Sequence, residues 1–224
     1  MTQEKSQTSG RSVNIPLSFP DMEAEKITEL FSKSNIILEY GSGGSTLLAG
    51  RLGKKIYSVE SDLSWAEMVR GEIKRENLEK NVEVHFSNIG KVGSWGKPIS
   101  SDAFEIYHEY PLSIWERTTF KHPDLILIDG RFRVACFAAA VMKTMKPITI
   151  VIDDYSYRPK YHIVEKLAEP IEKVGRLAVF EIAPNLDYRP HLRWMIGAFS
   201  QTSYAKDKPS RWAKIRKILQ GGMG

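Results

Sequence analysis

The chain has 224 residues, of which 42% are hydrophobic and 26% charged, and its formal net charge is +5. This composition excludes a disordered or fibrous protein, and the length fits one α/β domain better than two large ones. Cys136 is the only cysteine, which excludes an intramolecular disulfide and favours a small buried residue. No apolar run approaches the length of a membrane span, so we expect a cytoplasmic protein.

The positive charge is concentrated at the C-terminus. Residues 204–224 contain six Lys or Arg side chains against Asp207 alone, which leaves 26 basic and 26 acidic side chains of the 32 and 27 in the whole chain. This balance predicts that no basic groove extends over the fold and that nucleic acid is not a partner.

Three segments are predicted along the chain. Residues 1–12 are polar and are expected to form a disordered tail, residues 13–200 form the domain, and residues 201–224 form a basic tail or a short amphipathic helix. Such a helix docks on the domain, stays solvated or, as the less favoured alternative, lies on an anionic membrane surface. Its apolar residues at helical spacing are Trp212, Ile215, Ile218 and Leu219.

Strand and helix patterns alternate through the domain. Ser18 and Asp21 have the spacing of a capping box, which predicts a helix before the first strand. Short apolar runs, typical of buried parallel strands, then alternate with helical patterns. The six predicted strands are Ile36–Leu38, Lys55–Val59, Val82–Phe86, Leu125–Ile128, Ile148–Ile152 and Leu177–Ile182. Helical patterns between them include Trp65–Ile73, Val134–Met145 and Tyr161–Val174.

The run Leu192–Phe199 completes the predicted sheet. It follows Ile182 after a loop too short for a crossover helix, so we predict an antiparallel seventh strand. The predicted fold is therefore α/β, a Rossmann-like doubly wound sheet of seven strands, mostly parallel with an antiparallel last strand.

A glycine-rich turn, Glu39-Tyr40-Gly41-Ser42-Gly43-Gly44-Ser45-Thr46, follows the first strand, where such sheets bind ligands. The glycines allow a ligand to approach the backbone. Glu39 would repel a pyrophosphate, and Thr46 stands where a dinucleotide fingerprint has its third glycine, so a nicotinamide-dependent oxidoreductase is disfavoured. S-adenosylmethionine has no phosphate and fits better. The candidate cofactor-binding residues here are Glu39, Gly41, Ser42, Gly43, Gly44 and Thr46.

Polar residues after the second and third strands extend this site. Glu60, followed by Ser61, ends the second strand, where a carboxylate accepts both ribose hydroxyls. Asn88 and Ile89 follow the third strand, where a side chain and an amide read the adenine edge. The alternatives are an exposed strand-end charge for Glu60 and an ordinary turn former for Asn88.

Residues 35–90 resemble the cofactor half of class I S-adenosylmethionine-dependent methyltransferases. Over residues 20–200 the chain also resembles a group of uncharacterised bacterial methyltransferase-like proteins. The segments that carry this second resemblance are Asn88-Ile89-Gly90, Gly93-Ser94-Trp95-Gly96, Asp129-Gly130-Arg131-Phe132-Arg133-Val134 and Asp153-Asp154-Tyr155. The resemblance implies the fold and the cofactor S-adenosylmethionine, and it implies no substrate.

Three acidic residues end the fourth and fifth strands: Asp129, which is also a candidate cofactor-binding residue, Asp153 and Asp154. Converging carboxylates repel one another unless a cation or protons intervene, and Mg²⁺ would suit them. The arrangement resembles metal-dependent O-methyltransferases of the catechol and antibiotic-sugar kinds, which implies that these three are metal ligands. Two alternatives stay open: a guanidinium of Arg131 or Arg133 neutralises the aspartates, or the aspartates cap backbone amides.

Basic residues near these strand ends predict a small, anionic substrate. The candidates for binding it are Arg131, Arg133, Tyr155 and Arg158, with Lys160 adding charge. Residues 97–122 form an aromatic-rich insertion that is expected to cover the pocket. Within it His108 is a candidate general base. The candidate catalytic residues are therefore Asp129 and His108.

The acceptor atom is predicted to be oxygen. No Asp/Asn-Pro-Pro-aromatic sequence, the signature of enzymes that methylate amino groups, follows the fourth strand. We therefore expect O-methylation of a small anionic or glycan hydroxyl. The alternative is a non-catalytic module that binds S-adenosylmethionine or S-adenosylhomocysteine. The oligomeric state is not predicted.

Overall fold

A seven-stranded sheet organises residues 15–205, which are the residues that the computed structural model describes. Its strands are β1 (Ile36–Tyr40), β2 (Lys55–Glu60), β3 (Val82–Phe86), β4 (Leu125–Ile128), β5 (Ile148–Ile152), β6 (Glu172–Val174) and β7 (Leu177–Ile182). They are ordered β3-β2-β1-β4-β5-β7-β6. The first five are parallel, and β7 runs antiparallel to both β5 and β6. The predicted fold class is confirmed.

Helices cover both faces of the sheet. They are α1 (Asp21–Lys33), α2 (Gly44–Arg51), α3 (Leu63–Arg75), α4 (Glu109–Leu112), α5 (Arg133–Lys143) and α6 (Leu192–Ala198). Apolar side chains of α1, α2 and α3 join one core cluster, and those of α4, α5 and α6 join the other. Cys136 on α5 is fully buried, as expected. Among the described residues no helix is both long and apolar enough to cross a membrane.

The predicted strand Leu192–Phe199 is wrong, because Leu192–Ala198 forms helix α6. Pro190 lies in the 3-10 turn Arg189–His191 that leads into this helix. Met195 and Ala198, three positions apart, are the buried residues of α6, a spacing that suits a helix. The antiparallel position beside β5 is taken by β7, which a Gly175 turn joins to β6.

Two helix predictions need correction. The pattern Tyr161–Val174 gives a 3-10 helix over Pro159–Lys166 and then the short strand β6, with Pro170 between them. Helix α1 is present, but its N-cap is Pro20 and no side chain caps it, so the predicted capping box is absent. The predicted tail 1–12 and most of the basic segment 201–224 lie outside the described residues.

The aromatic insertion packs inward. Tyr107, Tyr110 and Ile114 are buried in the core cluster that contains α5. Trp115 Nε1 donates to the Tyr40 hydroxyl at 2.9 Å, and that hydroxyl donates to the Pro111 carbonyl at 2.7 Å. Of the aromatics expected to cover the pocket, Tyr110 lines the cavity at the carboxyl ends of the strands, whereas Tyr107, His108, Trp115 and His122 do not line it.

Candidate functional site

A cavity of about 580 Å³ opens at the carboxyl ends of β1, β2, β4 and β5. Strand order reverses at β1, which lies between β2 and β4, so this is where a doubly wound sheet binds ligands. Predicted residues that line the cavity are Gly41, Ser42, Gly43, Gly44, Glu60, Asp129, Arg131, Arg133, Asp153, Asp154 and Arg158. The volume is within the range of small-molecule sites.

The glycine turn lies against the turn after β4. Gly41 has φ +101°, and a Cβ there would lie 2.8 Å from Gly130 Cα. Around Gly43, by contrast, a Cβ would meet no atom within 4 Å. Gly41 therefore serves the close approach of two turns, whereas Gly43 leaves space for a ligand.

Glu39 is buried beneath the turn and does not line the cavity. Its carboxylate accepts hydrogen bonds from Ser45, from Thr46 Oγ1 at 2.5 Å and from Ser58 Oγ at 2.7 Å. Burial raises the pKa of Glu39 to about 7, although the three hydroxyls oppose this. Thr46 Oγ1 also accepts from Gly43 N at 2.8 Å, so Glu39 and Thr46 shape the turn from below.

Glu60 lines the cavity beside the glycine turn. Its Oε1 accepts from Ser61 N at 2.6 Å and Asp62 N at 2.9 Å, and its Oε2 accepts from Ser42 N at 3.2 Å. Burial raises the pKa of Glu60, and these amides oppose the shift. A carboxylate has about four acceptor positions, so Oε2 retains one for a ligand.

The predicted adenine-binding residues do not line the cavity. Ile89 is fully buried, and Asn88 Oδ1 accepts from Gly90 N at 3.0 Å, as in an ordinary turn. Ser61 Oγ donates to the Gly96 carbonyl at 3.0 Å. The segment Ser94–Lys97 forms this wall of the cavity instead; of its residues, sequence analysis had placed only Lys97, at the start of the insertion, near the pocket.

A second unpredicted wall comes from the segment before α1. Ile15, Pro16 and Ser18 line the cavity. A Cβ on Gly44 would lie 2.4 Å from the Pro16 carbonyl oxygen, so only glycine fits there. Arg176 holds this segment by donating to the Ser18 carbonyl at 3.5 Å. The third glycine of the turn was the sequence signal for this close approach.

Arg133 connects the three aspartates. Its guanidinium lies 3.0 Å from Asp129 Oδ1, 3.2 Å from Asp154 Oδ2 and 3.9 Å from Asp153 Oδ2. It also donates to the carbonyls of Gly130 at 3.1 Å and Asp129 at 2.7 Å, and to that of Asp153. A buried guanidinium with this many acceptors supplies the positive charge that the aspartates need.

These residues do not fit a Mg²⁺ site, because the Arg133 guanidinium lies among the carboxylates that would be the ligands. Among residues 15–205, no group of three or more His, Cys, Asp or Glu side chains is arranged to hold a metal. The capping alternative also fails for Asp129, since the N-cap of α5 is Phe132 and no side chain caps that helix. The arginine alternative fits the contacts, with Arg133 as the arginine.

The two candidate catalytic residues are in different places. Asp129 lines the cavity, and burial raises its pKa well above the usual value, with Arg133 opposing and Asp153 adding to the shift. His108 is half exposed, pairs with Glu109 at 3.2 Å and does not line the cavity. Tyr155 is fully buried, and its hydroxyl donates to Glu165 at 2.7 Å, so it is not placed to contact a substrate.

Comparisons with known proteins connect this site to a family. No family model and no curated protein matches the chain. Among solved structures, a methyltransferase-like protein from Silicibacter pomeroyi is 38% identical, with 84% of this chain and 98% of that chain covered and a TM-score of 0.76.

Two more distant structures share the fold. The O-methyltransferase TomG from Streptomyces achromogenes is 18% identical, with 74% of this chain and 80% of that chain covered and a TM-score of 0.50. A methyltransferase from Geobacter sulfurreducens is 10% identical, with 75% and 81% covered and a TM-score of 0.51. Because the chain is 38% identical to the Silicibacter protein over most of its length, it belongs to the family of class I S-adenosylmethionine-dependent methyltransferase-like proteins.

Proposed function

We propose that this protein binds S-adenosylmethionine and transfers its methyl group to a hydroxyl of a small anionic molecule. The observation that carries the proposal is the Glu60 carboxylate, which lines the cavity beside the glycine turn and keeps an acceptor position on Oε2. Charge-assisted hydrogen bonds from ribose hydroxyls would suit it. TomG, which has this fold, was crystallised in complex with S-adenosylmethionine.

The chain supplies orientation and a base. The sulfonium methyl is already electrophilic, so transfer requires an aligned hydroxyl and removal of its proton. Asp129 is the proposed general base, because it lines the cavity and burial raises the pKa of its carboxyl, which makes it a stronger proton acceptor. As the new oxygen–carbon bond forms and the sulfur–carbon bond breaks, the hydroxyl proton passes to Asp129.

Calorimetric titration tests the cofactor assignment. We expect S-adenosylhomocysteine to bind at least tenfold more tightly than NAD⁺. Glu60→Gln keeps the shape but removes the charge, and the loss of about 1.5–3 kcal/mol per charge-assisted bond predicts at least tenfold weaker binding. Glu79→Gln, on an exposed residue outside the cavity, is the matched control. Equal binding by the Glu60 variant, or preference for NAD⁺, would refute the assignment.

A non-catalytic binding module is the second candidate, because Asp129 Oδ1 is already paired with Arg133 at 3.0 Å. Turnover separates the two. We expect a screen of anionic hydroxyl compounds to release S-adenosylhomocysteine, and Asp129→Asn to lower kcat at least a hundredfold while leaving cofactor affinity within threefold. Cofactor binding without turnover across the screen would favour the binding module.

A further inference from the structure

We propose that Lys97 and Arg131, with Lys160 nearby, form a subsite for a phosphate monoester on the acceptor. Lys97 and Arg131 both line the cavity. The inference rests on the proposed function and makes its substrate class specific. The cations of this subsite are different from the arginines that pair with the aspartates at the strand ends.

The other arginines at this end of the sheet are already neutralised. Arg133 contacts all three aspartates, Arg158 lies 3.2 Å from Asp154, and Arg176 lies 2.6 Å from Asp153. Three guanidinium groups therefore balance three carboxylates. These contacts leave little charge in the cluster to attract an anionic ligand.

Lys97, Arg131 and Lys160 have no such partner. Within residues 15–205, none of the three lies within 4 Å of a carboxylate oxygen. They come from separate segments: the turn after β3, the β4–α5 turn and the start of the 3-10 helix after β5. The fold thus brings two of these cations, Lys97 and Arg131, to the wall of one cavity from parts of the chain that are distant in sequence.

The cations also influence one another. Burial lowers the pKa of Lys97, and Arg131, Arg158 and Lys160 lower it further. Burial likewise lowers the pKa of Lys160, with Arg158 and Arg131 adding to the effect. A shared anion would stabilise these like charges.

A phosphate monoester suits this arrangement better than a carboxylate. It carries close to two negative charges and presents three oxygens, so it accepts from several cations at once. Arg131 offers a planar fork of donors and Lys97 a compact charge. Trp95, which precedes this lysine by two positions and lines the same cavity, gives the attached organic group an apolar surface.

The test measures binding of phenyl phosphate to the complex with S-adenosylhomocysteine by calorimetry, with benzoate as the carboxylate counterpart. We expect phenyl phosphate to bind at least tenfold more tightly than benzoate. The double variant Lys97→Gln, Arg131→Gln should weaken phenyl phosphate at least tenfold and leave S-adenosylhomocysteine within twofold. Lys146→Gln, at an exposed residue just before β5 and thus near the amino ends of the parallel strands, opposite the cavity, should change neither.

Each outcome decides the inference. If the double variant binds phenyl phosphate as the parent does, or if benzoate binds equally well, the subsite is refuted while the proposed function stands. Direct binding of a single-stranded oligonucleotide lacking a terminal phosphate, with no binding of phenyl phosphate, would refute it in favour of a nucleic-acid phosphodiester. Failure of S-adenosylhomocysteine itself to bind would instead refute the proposed function.

Discussion

Glu39 is an acid buried for structural reasons. Strand register places Ser58 directly beside it on β2, and the first turn of α2 adds the hydroxyls of Ser45 and Thr46. Three hydroxyl donors partly compensate the loss of hydration, which alone would cost several kcal/mol. The side chain thus couples β1, β2 and α2 at the point where the glycine turn begins.

Replacing Glu39 by Gln should flatten the pH dependence of stability. Since burial raises the pKa of Glu39 to about 7, the folded protein binds this proton more tightly than the unfolded chain does. The free energy of unfolding should therefore fall as the pH rises from about 4.5 to about 7, by about 3 kcal/mol, and stay level above that range.

Urea unfolding at several pH values measures this slope. Glu39→Gln should reduce the decline between about pH 4.5 and 7, because the amide does not titrate, while Glu60 and Asp129, whose pKa values burial also raises, keep their share of it. The exposed Glu79→Gln should retain it. An unchanged slope in the Glu39 variant would show that another group causes the decline.

The sequence indicated which residues surround the turn, but not which way each points. Glu60 was predicted at a ligand-facing strand end and lines the cavity. Glu39 was predicted to face the ligand, yet its contacts lie on the α2 side of the sheet. Adjacent strand residues point to opposite faces, so the choice depends on the register of β1 against β2, which periodicity does not define.

Segment Ser94–Lys97 combines exposure with backbone strain. Trp95 has φ 64° and ψ 28°, a left-handed conformation that few residues other than glycine adopt, and its side chain is 75% exposed. Such a conformation costs about 1–3 kcal/mol, and it is often retained where a ligand binds. A large aromatic side chain at a cavity wall fits that interpretation.

Trp95→Gly should stabilise the free protein and weaken binding of an aromatic acceptor analogue. Glycine relieves the left-handed strain, and little apolar burial is lost, so we expect a gain of about 1 kcal/mol. Thermal unfolding and phenyl phosphate titration measure the two effects. Ser94→Gly, one position earlier, should not stabilise the protein. A less stable Trp95 variant would contradict the proposed strain.

The three aspartates at the ends of β4 and β5 already have a cationic partner, which predicts how the protein responds to Mg²⁺ and to loss of that partner. Because Arg133 already lies among the three aspartates, we expect neither Mg²⁺ nor EDTA to change the melting temperature. Arg133→Met leaves buried carboxylates without their partner and should cost about 3–5 kcal/mol, whereas Arg131→Met should cost under 1 kcal/mol. A rise in melting temperature with Mg²⁺, reversed by EDTA, would restore the metal hypothesis.

Strong periodicity predicted elements better than loop length did. The helix around Trp65–Ile73 became α3, and the five parallel strands lie where the apolar runs predicted them. Leu192–Ala198 was misassigned because a short loop was taken to require an antiparallel strand. Packing of Met195 and Ala198 beside α5 determined the helix instead, and such tertiary contacts are not visible in the local sequence.

At the scale of the whole molecule, residues 15–205 already form both core clusters and the cavity walls. Ala205 N donates to the Pro98 carbonyl at 2.8 Å, so a truncation belongs after this residue. Deleting residues 206–224 removes six basic side chains and Asp207. We expect the melting temperature to change by less than 3 °C and S-adenosylhomocysteine affinity by less than twofold. A larger loss would place the deleted residues in the core.

The anchoring of the wall before α1 has a consequence for the rate of ligand exchange. Arg176 pairs with Asp153 and also contacts the Ser18 carbonyl and the ring of Phe19, whose centroid lies 5.4 Å from the guanidinium carbon. A ligand that leaves past this wall must loosen the same guanidinium. Salt screens such a largely buried ion pair only weakly, so dissociation of an uncharged ligand should change little with ionic strength, whereas Arg176→Met, which removes the pair, should quicken it. Residence time in the cavity is thereby coupled to an ion pair that anchors one of its walls.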